Sequence, residues 1–337
     1  MSTVSAHLSV ESGTLFDLLV VGAGPNGLAT AMEATQAGLS TVVVDKGCIV
    51  NSIFHFPSHM VFFTTSESLE IGGVPFPCPN PKPTRVEGLE YYRKAAAFHS
   101  IDVRQYHRVD RIEGSVGNFS VHMVDRFGTP LVLAAKNIAL ATGYFDLPNK
   151  LPVAGGELSK VHHYYNDPHP YAGLDVVVVG GKNSAAIATL ELWRHGARVT
   201  LVHRGPALHN HVKYWIKPDL ENRIKAGDIP ALFSSRVVEV RPYEVVIETP
   251  EGQRTLKNDF VVAMTGYNPD FTFLESLGLQ FDGPDRRPKM NQETLESNVP
   301  GIYLAGVLVG GACTNEVFIE NGRFHGEKIV KGIERSR

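Results

Sequence analysis

The chain is 337 residues long, beyond the usual size of a single core, and 43% of its residues are hydrophobic, so two packed domains are expected. A formal net charge of −3 and the lack of any long basic run remove the electrostatic case for a nucleic-acid partner or an anionic membrane surface. Residues 1–14 are polar without the basic-then-apolar order of a secretory signal, and no apolar run approaches the roughly twenty residues that span a bilayer. A soluble, cytoplasmic protein is the default expectation.

Residues 18–21 read as a strand opening into Gly22-Ala23-Gly24-Pro25-Asn26-Gly27, followed by an amphipathic helix over 28–37 and a second strand over 41–44. A G-x-G-x-x-G turn in that context holds a dinucleotide. Gly22 permits the sharp turn, Gly24 lets the backbone approach the pyrophosphate, and Gly27 lets the helix pack closely on the strand. The helix start turns unpaired N–H groups and a positive dipole end toward the anion. The second strand ends on Asp45, where a carboxylate accepts hydrogen bonds from ribose hydroxyls. We read this unit as an FAD site, with Gly22, Gly24, Pro25, Asn26, Gly27, Asp45, Lys46, Asn51 and Ser52 as candidate contacts. Asn26 either donates a hydrogen bond to the flavin or serves the turn through local backbone bonding.

Residues 47–73, rich in aromatics and hydroxyls, read either as a wall for the flavin or as core plus loop. The proline-rich run 74–83 cannot form helix or central strand and is expected as an extended surface connection, with a helix over 87–99 after it. Short alternating segments over 109–113, 119–125 and 131–134 predict a small antiparallel meander. An apolar strand then stops on Thr142-Gly143, both candidate cofactor contacts.

The fingerprint is then written a second time. The strand run over 174–179 opens into Gly180-Gly181-Lys182-Asn183-Ser184-Ala185, and the position equivalent to Asp45 holds His203, followed by Arg204. A cation there suits an extra 2′-phosphate, so we read this unit as an NADPH site, with Gly180, Lys182, Asn183, Ser184, His203 and Arg204 as contacts. The Lys182 ammonium either pairs with a phosphate or points to water. Lys213 and Lys217 are expected on an exposed helix, where they either add charge near the NADPH phosphate or are merely solvated. The unit closes with its own apolar strand ending Thr265-Gly266, and a late strand over 302–305 leads to Gly306, a further flavin contact. The expected fold is therefore α/β, with two Rossmann-like three-layer dinucleotide-binding domains. The NADPH domain, residues 158–262, is inserted in an FAD domain formed by residues 1–157 and 263–337.

Cys48, Cys78 and Cys313 lie far apart with no CxxC, and the histidines lack the carboxylate and cysteine company of a metal site, so no metal is expected. Among the three, Cys313 is the most plausible reactive thiol because it follows Gly306 and Gly310-Gly311, although a solitary cysteine is more often structural. No residue is assigned to catalysis.

Two G-x-G-x-x-G-type units, two Thr-Gly strands and a late Tyr303-Leu304-Ala305-Gly306 strand, in this order over nearly the whole chain, resemble the thioredoxin reductase-like flavoproteins. More narrowly, Asn51-Ser52-Ile53, the run Pro57-Ser58-His59-Met60 through Phe63, Ser66-Glu67-Ser68-Leu69-Glu70-Ile71-Gly72, the run over 212–224 and Phe318-Ile319-Glu320-Asn321-Gly322-Arg323 resemble the bacillithiol disulfide reductases. The resemblance implies tightly bound FAD, NADPH as electron donor and a homo-oligomeric cytoplasmic enzyme. It also implies a low-molecular-weight thiol disulfide such as bacillithiol disulfide as acceptor, or else a small redox protein.

Three departures accompany it. The CxxC of thioredoxin reductases is missing, Asn26 stands where the bacillithiol group commonly has a cysteine, and Val307 stands where many such flavoproteins have an aspartate at the ribityl chain. Two other readings follow: a ferredoxin or flavodoxin-NADP reductase, which also lacks CxxC, and a flavin monooxygenase, faintly echoed by Gly155-Gly156 before His162-His163.

Overall fold

The computed structural model describes residues 9–336, with side chains from residue 14 onward. Most of residues 1–14, read above for a leader segment, lie outside that range. Contacts divide the chain into two compact units, residues 1–147 with 267–337 and residues 148–266.

In the first unit, β1 (Ser9–Val21), β2 (Thr41–Val44) and β3 (Asp102–Arg104) are parallel neighbours, and β6 (Pro130–Leu140) runs parallel on the other side of β1. The sheet is apolar on both faces, as parallel strands covered on both sides must be. Leu18, Val20, Val43 and Ala139 face a helical layer that includes Leu28 and Met32 of the helix Pro25–Gln36 and Ile329 of the helix His325–Arg335. Their alternates Leu19, Val42, Val44, Ile138 and Leu140 face the opposite layer with Phe119, Val121 and Met123.

The antiparallel meander is β4 (His107–Ser115), β5 (Asn118–Asp125) and the first half of β6. The sequence reading separated its third strand from the strand before Thr142-Gly143, but they are one. Lys136 and Asn137, at the join of the two segments, are both bound by β1. Lys136 Nζ pairs with Asp17 Oδ1 at 2.9 Å, and Asn137 Nδ2 donates to the Asp17 carbonyl at 3.1 Å. The second half of β6 takes the strand Ile302–Leu304 as a parallel neighbour.

Helix boundaries also move. The first helix begins at Pro25, whose missing N–H and fixed φ suit a first turn. The helix Arg85–Phe98 starts earlier than expected because Thr84 and Glu87 form a capping box. The proline-rich run is not purely a surface connection. Phe76 is 4% exposed and stacks on Tyr91 with centroids 4.1 Å apart, while its N–H donates to Glu70.

The second unit repeats the plan. Its parallel sheet contains β7 (Val161–His162), β8 (Asp175–Val179), β9 (Arg198–Val202), β10 (Ala231–Leu232) and β14 (Phe260–Ala263), in the order β10-β9-β8-β14-β7. The helix Asn183–Arg194 packs on Val176, Val178, Val199 and Leu201. On the other face, Val177, Val202 and Val261 meet an antiparallel trio, β11 (Arg236–Val240), β12 (Glu244–Thr249) and β13 (Gly252–Lys257). The expected α/β architecture of two Rossmann-like units is therefore present. Lys213 lies before the helix Lys217–Lys225 rather than on it.

Candidate functional site

In open parallel sheets, ligands bind beyond the carboxyl ends of the strands where the winding reverses. In the first unit that point lies between β1 and β6, whose ends carry Gly22 and Ala141-Thr142-Gly143. Gly22 has φ +110°, and a Cβ there would lie 2.4 Å from the Ala141 carbonyl oxygen. A Cβ on Gly27 would come to 1.9 Å from the Gly22 carbonyl oxygen, so both positions are closed to side chains. Gly24 is different. It forms the N-cap of the helix without any side-chain cap, and a Cβ there would meet nothing within 4 Å. The helix start thus opens onto free space with no acidic residue in its first turn.

Asp45 closes one side of this crevice. Its carboxylate accepts the Ala23 N–H at 2.7 Å and the Gly47 N–H at 2.7 Å, which leaves further lone pairs on both oxygens. Burial raises its pKa, while the Gly47 and Ala23 amides oppose that rise. Lys46 pairs with Asp146 at 2.9 Å, and Asn51 lies under Gly47 with its Oδ1 within 3.6 Å of Cys48 Sγ. Asn51 and Ser52 open a short helix entered through Val50, a buried β-branched residue in the left-handed region at φ +50°. The Val50 N–H donates to the Ala23 carbonyl at 2.9 Å, which ties this loop back to the glycine turn.

Asn26 lies against two glycines far away in sequence, because a Cβ on Gly306 or on Gly322 would fall 2.7 Å from its Nδ2. Its Oδ1 is buried without a hydrogen-bond partner among the described residues, as is Thr142 Oγ1. Buried polar atoms are rarely left unpaired, so two such atoms beside an open glycine turn fit a polar ligand that would complete them. The sequence reading missed His325. Its Nδ1 accepts the Gly306 N–H at 3.0 Å, and burial, with help from the Lys328 charge, pulls its pKa down to about 4. Only its nearness to the Phe318–Arg323 run offered a signal.

The second crevice, between β8 and β14, has the same skeleton. Gly180 sits at φ +148°, and a Cβ there would lie 2.7 Å from the Met264 carbonyl oxygen, the counterpart of the contact between Gly22 and Ala141. Lys182 is the exposed N-cap of the helix, again without a side-chain cap, and Ser184 is exposed in the first turn. Asn183 turns inward instead. Its Nδ2 donates to the His211 carbonyl at 3.2 Å, and its Oδ1 accepts the Lys213 N–H at 2.9 Å. The His209 N–H donates to the Gly181 carbonyl at 3.0 Å, and burial followed by the charges of His211, Lys182 and Lys217 lowers the His209 pKa. The mouth of this turn is therefore electropositive.

Burial first, then the Arg204 and His209 charges, lower the His203 pKa, which favours its neutral form at physiological pH. The neighbouring Arg204 is exposed and has no side-chain hydrogen bond or ion pair among the described residues.

No group of three or more metal-ligating side chains converges among the described residues, and no described helix is long and apolar enough to cross a membrane. Two glycine-turn crevices on one chain, each facing an uncapped helix start, define the class of α/β proteins with two dinucleotide-binding units. A family model described as pyridine nucleotide-disulphide oxidoreductase matches residues 19–306. The chain is 42% identical over 320 residues to the bacilliredoxin reductase Bdr of Bacillus subtilis (strain 168), covering 94% of this chain and 97% of that protein. The solved bacillithiol disulfide reductase Bdr (YpdA) from Bacillus cereus matches with a TM-score of 0.94 at 41% identity, over 96% of this chain and all of that one. The thioredoxin reductase of T. acidophilum shares the fold alone, with a TM-score of 0.73 at 20% identity over 95% and 98% of the two chains. The chain belongs to the pyridine nucleotide-disulphide oxidoreductases, and it is an oxidoreductase that uses a flavin and a nicotinamide.

Proposed function

We propose that the protein is an FAD enzyme that carries electrons from NADPH to the disulfide of a low-molecular-weight thiol, with bacillithiol disulfide as the leading candidate. The observation that carries this reading is the asymmetry of the two crevices, a carboxylate at Asp45 in one and an unpaired guanidinium at Arg204 in the other. The names borne by relatives at 41–42% identity support a disulfide as acceptor over a one-electron carrier or oxygen.

In this reading Gly22, Gly24 and Gly27 admit the FAD pyrophosphate, and Asp45 takes the ribose. Thr142 and Asn26 offer their unpaired oxygens to the same cofactor. Gly180, Lys182 and Ser184 line the corresponding NADPH turn, and Asn183 shapes the loop above it. Bound FAD supplies the two-electron chemistry that links a nicotinamide hydride to a disulfide. The balance is NADPH, one proton and one disulfide giving NADP⁺ and two thiols. The same reading makes the enzyme a cytoplasmic homo-oligomer. A second acceptor, a bacilliredoxin, is favoured by the name of the Bacillus subtilis relative.

The test is stopped-flow reduction by NADPH followed by reoxidation with bacillithiol disulfide, an oxidised bacilliredoxin, ferredoxin and oxygen in parallel. Turnover with the small disulfide is expected. A colourless protein that takes up no FAD, or fast turnover with ferredoxin or oxygen alone, would overturn the proposal.

A further inference from the structure

The carboxyl ends of β9 and β10 lie side by side, since Ala231 and Leu232 pair in parallel with Leu201 and Val202. The chain leaves β9 through His203 and Arg204, and it leaves β10 through Phe233, Ser234 and Ser235. Two backbone bonds fasten these exits together: Ser234 N–H to the Gly205 carbonyl at 2.8 Å and Ser235 N–H to the His203 carbonyl at 3.1 Å. Ser234 is held in the left-handed region at φ +48°, a conformation that costs a non-glycine residue energy and clusters at functional positions. Beside it lies a depression of about 240 Å³ lined by Arg204, Ser234, Ser235, Arg236, Glu248 and Thr249.

The polar atoms of this depression are unevenly used. Ser235 Oγ donates to the Phe233 carbonyl and is spent. Thr249 Oγ1 has one hydrogen, which lies within reach of both a Glu251 carboxylate oxygen and the Gly252 carbonyl and is taken by them. The Ser234 hydroxyl has no partner among the described residues, nor has Arg204. Arg236 stands directly opposite Glu248 across β11 and β12 and binds it through Nε, leaving both Nη groups as unengaged donors. An isolated surface pair would not need such an arrangement. A phosphate monoester would use it, because its dianion accepts from several guanidinium donors and a hydroxyl at once.

We propose that this depression receives the 2′-phosphate of the nicotinamide dinucleotide, and that Ser234 and Arg236, both outside the glycine fingerprint, set the preference for the phosphorylated cofactor together with Arg204. The proposal rests on the reading of the second unit as an NADPH site and names the further residues that would enforce it. Glu248 works against the phosphate. Its carboxylate repels the dianion and occupies Arg236, so it tempers the preference.

The test is isothermal titration of the flavin-loaded protein with 2′,5′-ADP, with 5′-ADP and with inorganic phosphate. The wild type is expected to bind 2′,5′-ADP more tightly than 5′-ADP. Arg236→Ala should cost about tenfold for 2′,5′-ADP and leave 5′-ADP within about twofold. Ser234→Ala should cost a few-fold in the same selective way, and Glu248→Gln should tighten 2′,5′-ADP a few-fold. Because the Glu248 effect has the opposite sign, misfolding cannot imitate it. Competition by inorganic phosphate against 2′,5′-ADP but not 5′-ADP supports the proposal. If the wild type does not distinguish the two nucleotides, the NADPH reading itself fails. If it does, and neither Arg236→Ala nor Glu248→Gln changes the preference, only the present proposal fails.

Discussion

His325 provides a measurable consequence of how the crevice of the first unit is held together. Its imidazole accepts the Gly306 N–H, and Gly306 in turn lies against Asn26, so the neutral ring fixes the backbone that flanks Asn26. Burial, aided by the Lys328 charge, depresses its pKa from 6.5 to about 4. A histidine depressed in this way contributes its stabilisation fully above the unfolded pKa and loses it as the pH falls toward the folded one, because the unfolded chain takes up the proton first. The window is therefore pH 6.5 down to about 4. At pH 4.5 the differential protonation amounts to about 2.5 kcal/mol, using 1.36 kcal/mol per pKa unit.

The informative variant is His325→Asn, whose amide oxygen can accept the Gly306 N–H but does not titrate. Urea unfolding followed by far-UV circular dichroism at pH 7.5, 6.5, 5.5 and 4.5 compares the slopes of stability against pH, so a constant cost of substitution drops out. The other histidines and the carboxylates titrate in both proteins and cancel. The wild type should lose about 2.5 kcal/mol more than the variant across this range. Parallel curves would refute the reasoning and would mean that His325 is not a buried neutral acceptor.

Three more expectations concern the fold and the thiols. Gly27→Ala forces a methyl to within 1.9 Å of the Gly22 carbonyl oxygen and should cost about 2 kcal/mol or more, read as a lowered melting temperature together with lost flavin content. Lys160, 8% exposed, donates to the carbonyls of Arg241, Pro242 and Asn258, so Lys160→Met should destabilise the protein by about 2 to 3 kcal/mol in denaturant melts. Burial raises the thiol pKa of Cys48 and of Cys313, with Asp285 raising Cys313 further, and Cys78 donates its thiol to the Asn80 carbonyl. Neither Cys48 nor Cys313 is poised as a thiolate, and the Cys78 thiol is held by a backbone carbonyl, so the triple Cys→Ser variant should keep flavin reduction by NADPH and most turnover. Abolished disulfide turnover that returns with Cys313 alone would identify that residue as the working thiol.

Much of the plan could be read from residue order, because the glycine turns and the apolar strands are local patterns. The doubled strand–turn–helix and the positions of Asp45 and His203 needed nothing beyond spacing. What escaped depended on partners distant in sequence. The unity of β6 was hidden because Lys136, in the gap between the two segments, finds its partner in Asp17, 119 residues away, whose pKa the Lys136 ammonium lowers to about 2. The neutrality of His203 follows from packing and neighbouring charge, which spacing does not report. His325 and the Ser234–Arg236 corner lie outside any fingerprint, and only the folded chain brings them to the crevice ends.

The two copies also explain each other. Asp45 reaches back to the Ala23 and Gly47 amides, and in the second unit the equivalent residues are Gly181 and Gly205. A Cβ on Gly181 would lie 2.4 Å from the His203 imidazole, and one on Gly205 would lie 2.7 Å from it. The ring therefore occupies the space that the first unit gives to the Ala23 methyl and to a smaller carboxylate. Exchanging a carboxylate for an imidazole at this position thus required glycine at residue 181, where the first unit carries alanine. Because the resulting imidazole is neutral, the exchange removes a negative charge without adding a positive one. What positive charge stands at this position belongs to the next residue outward, Arg204.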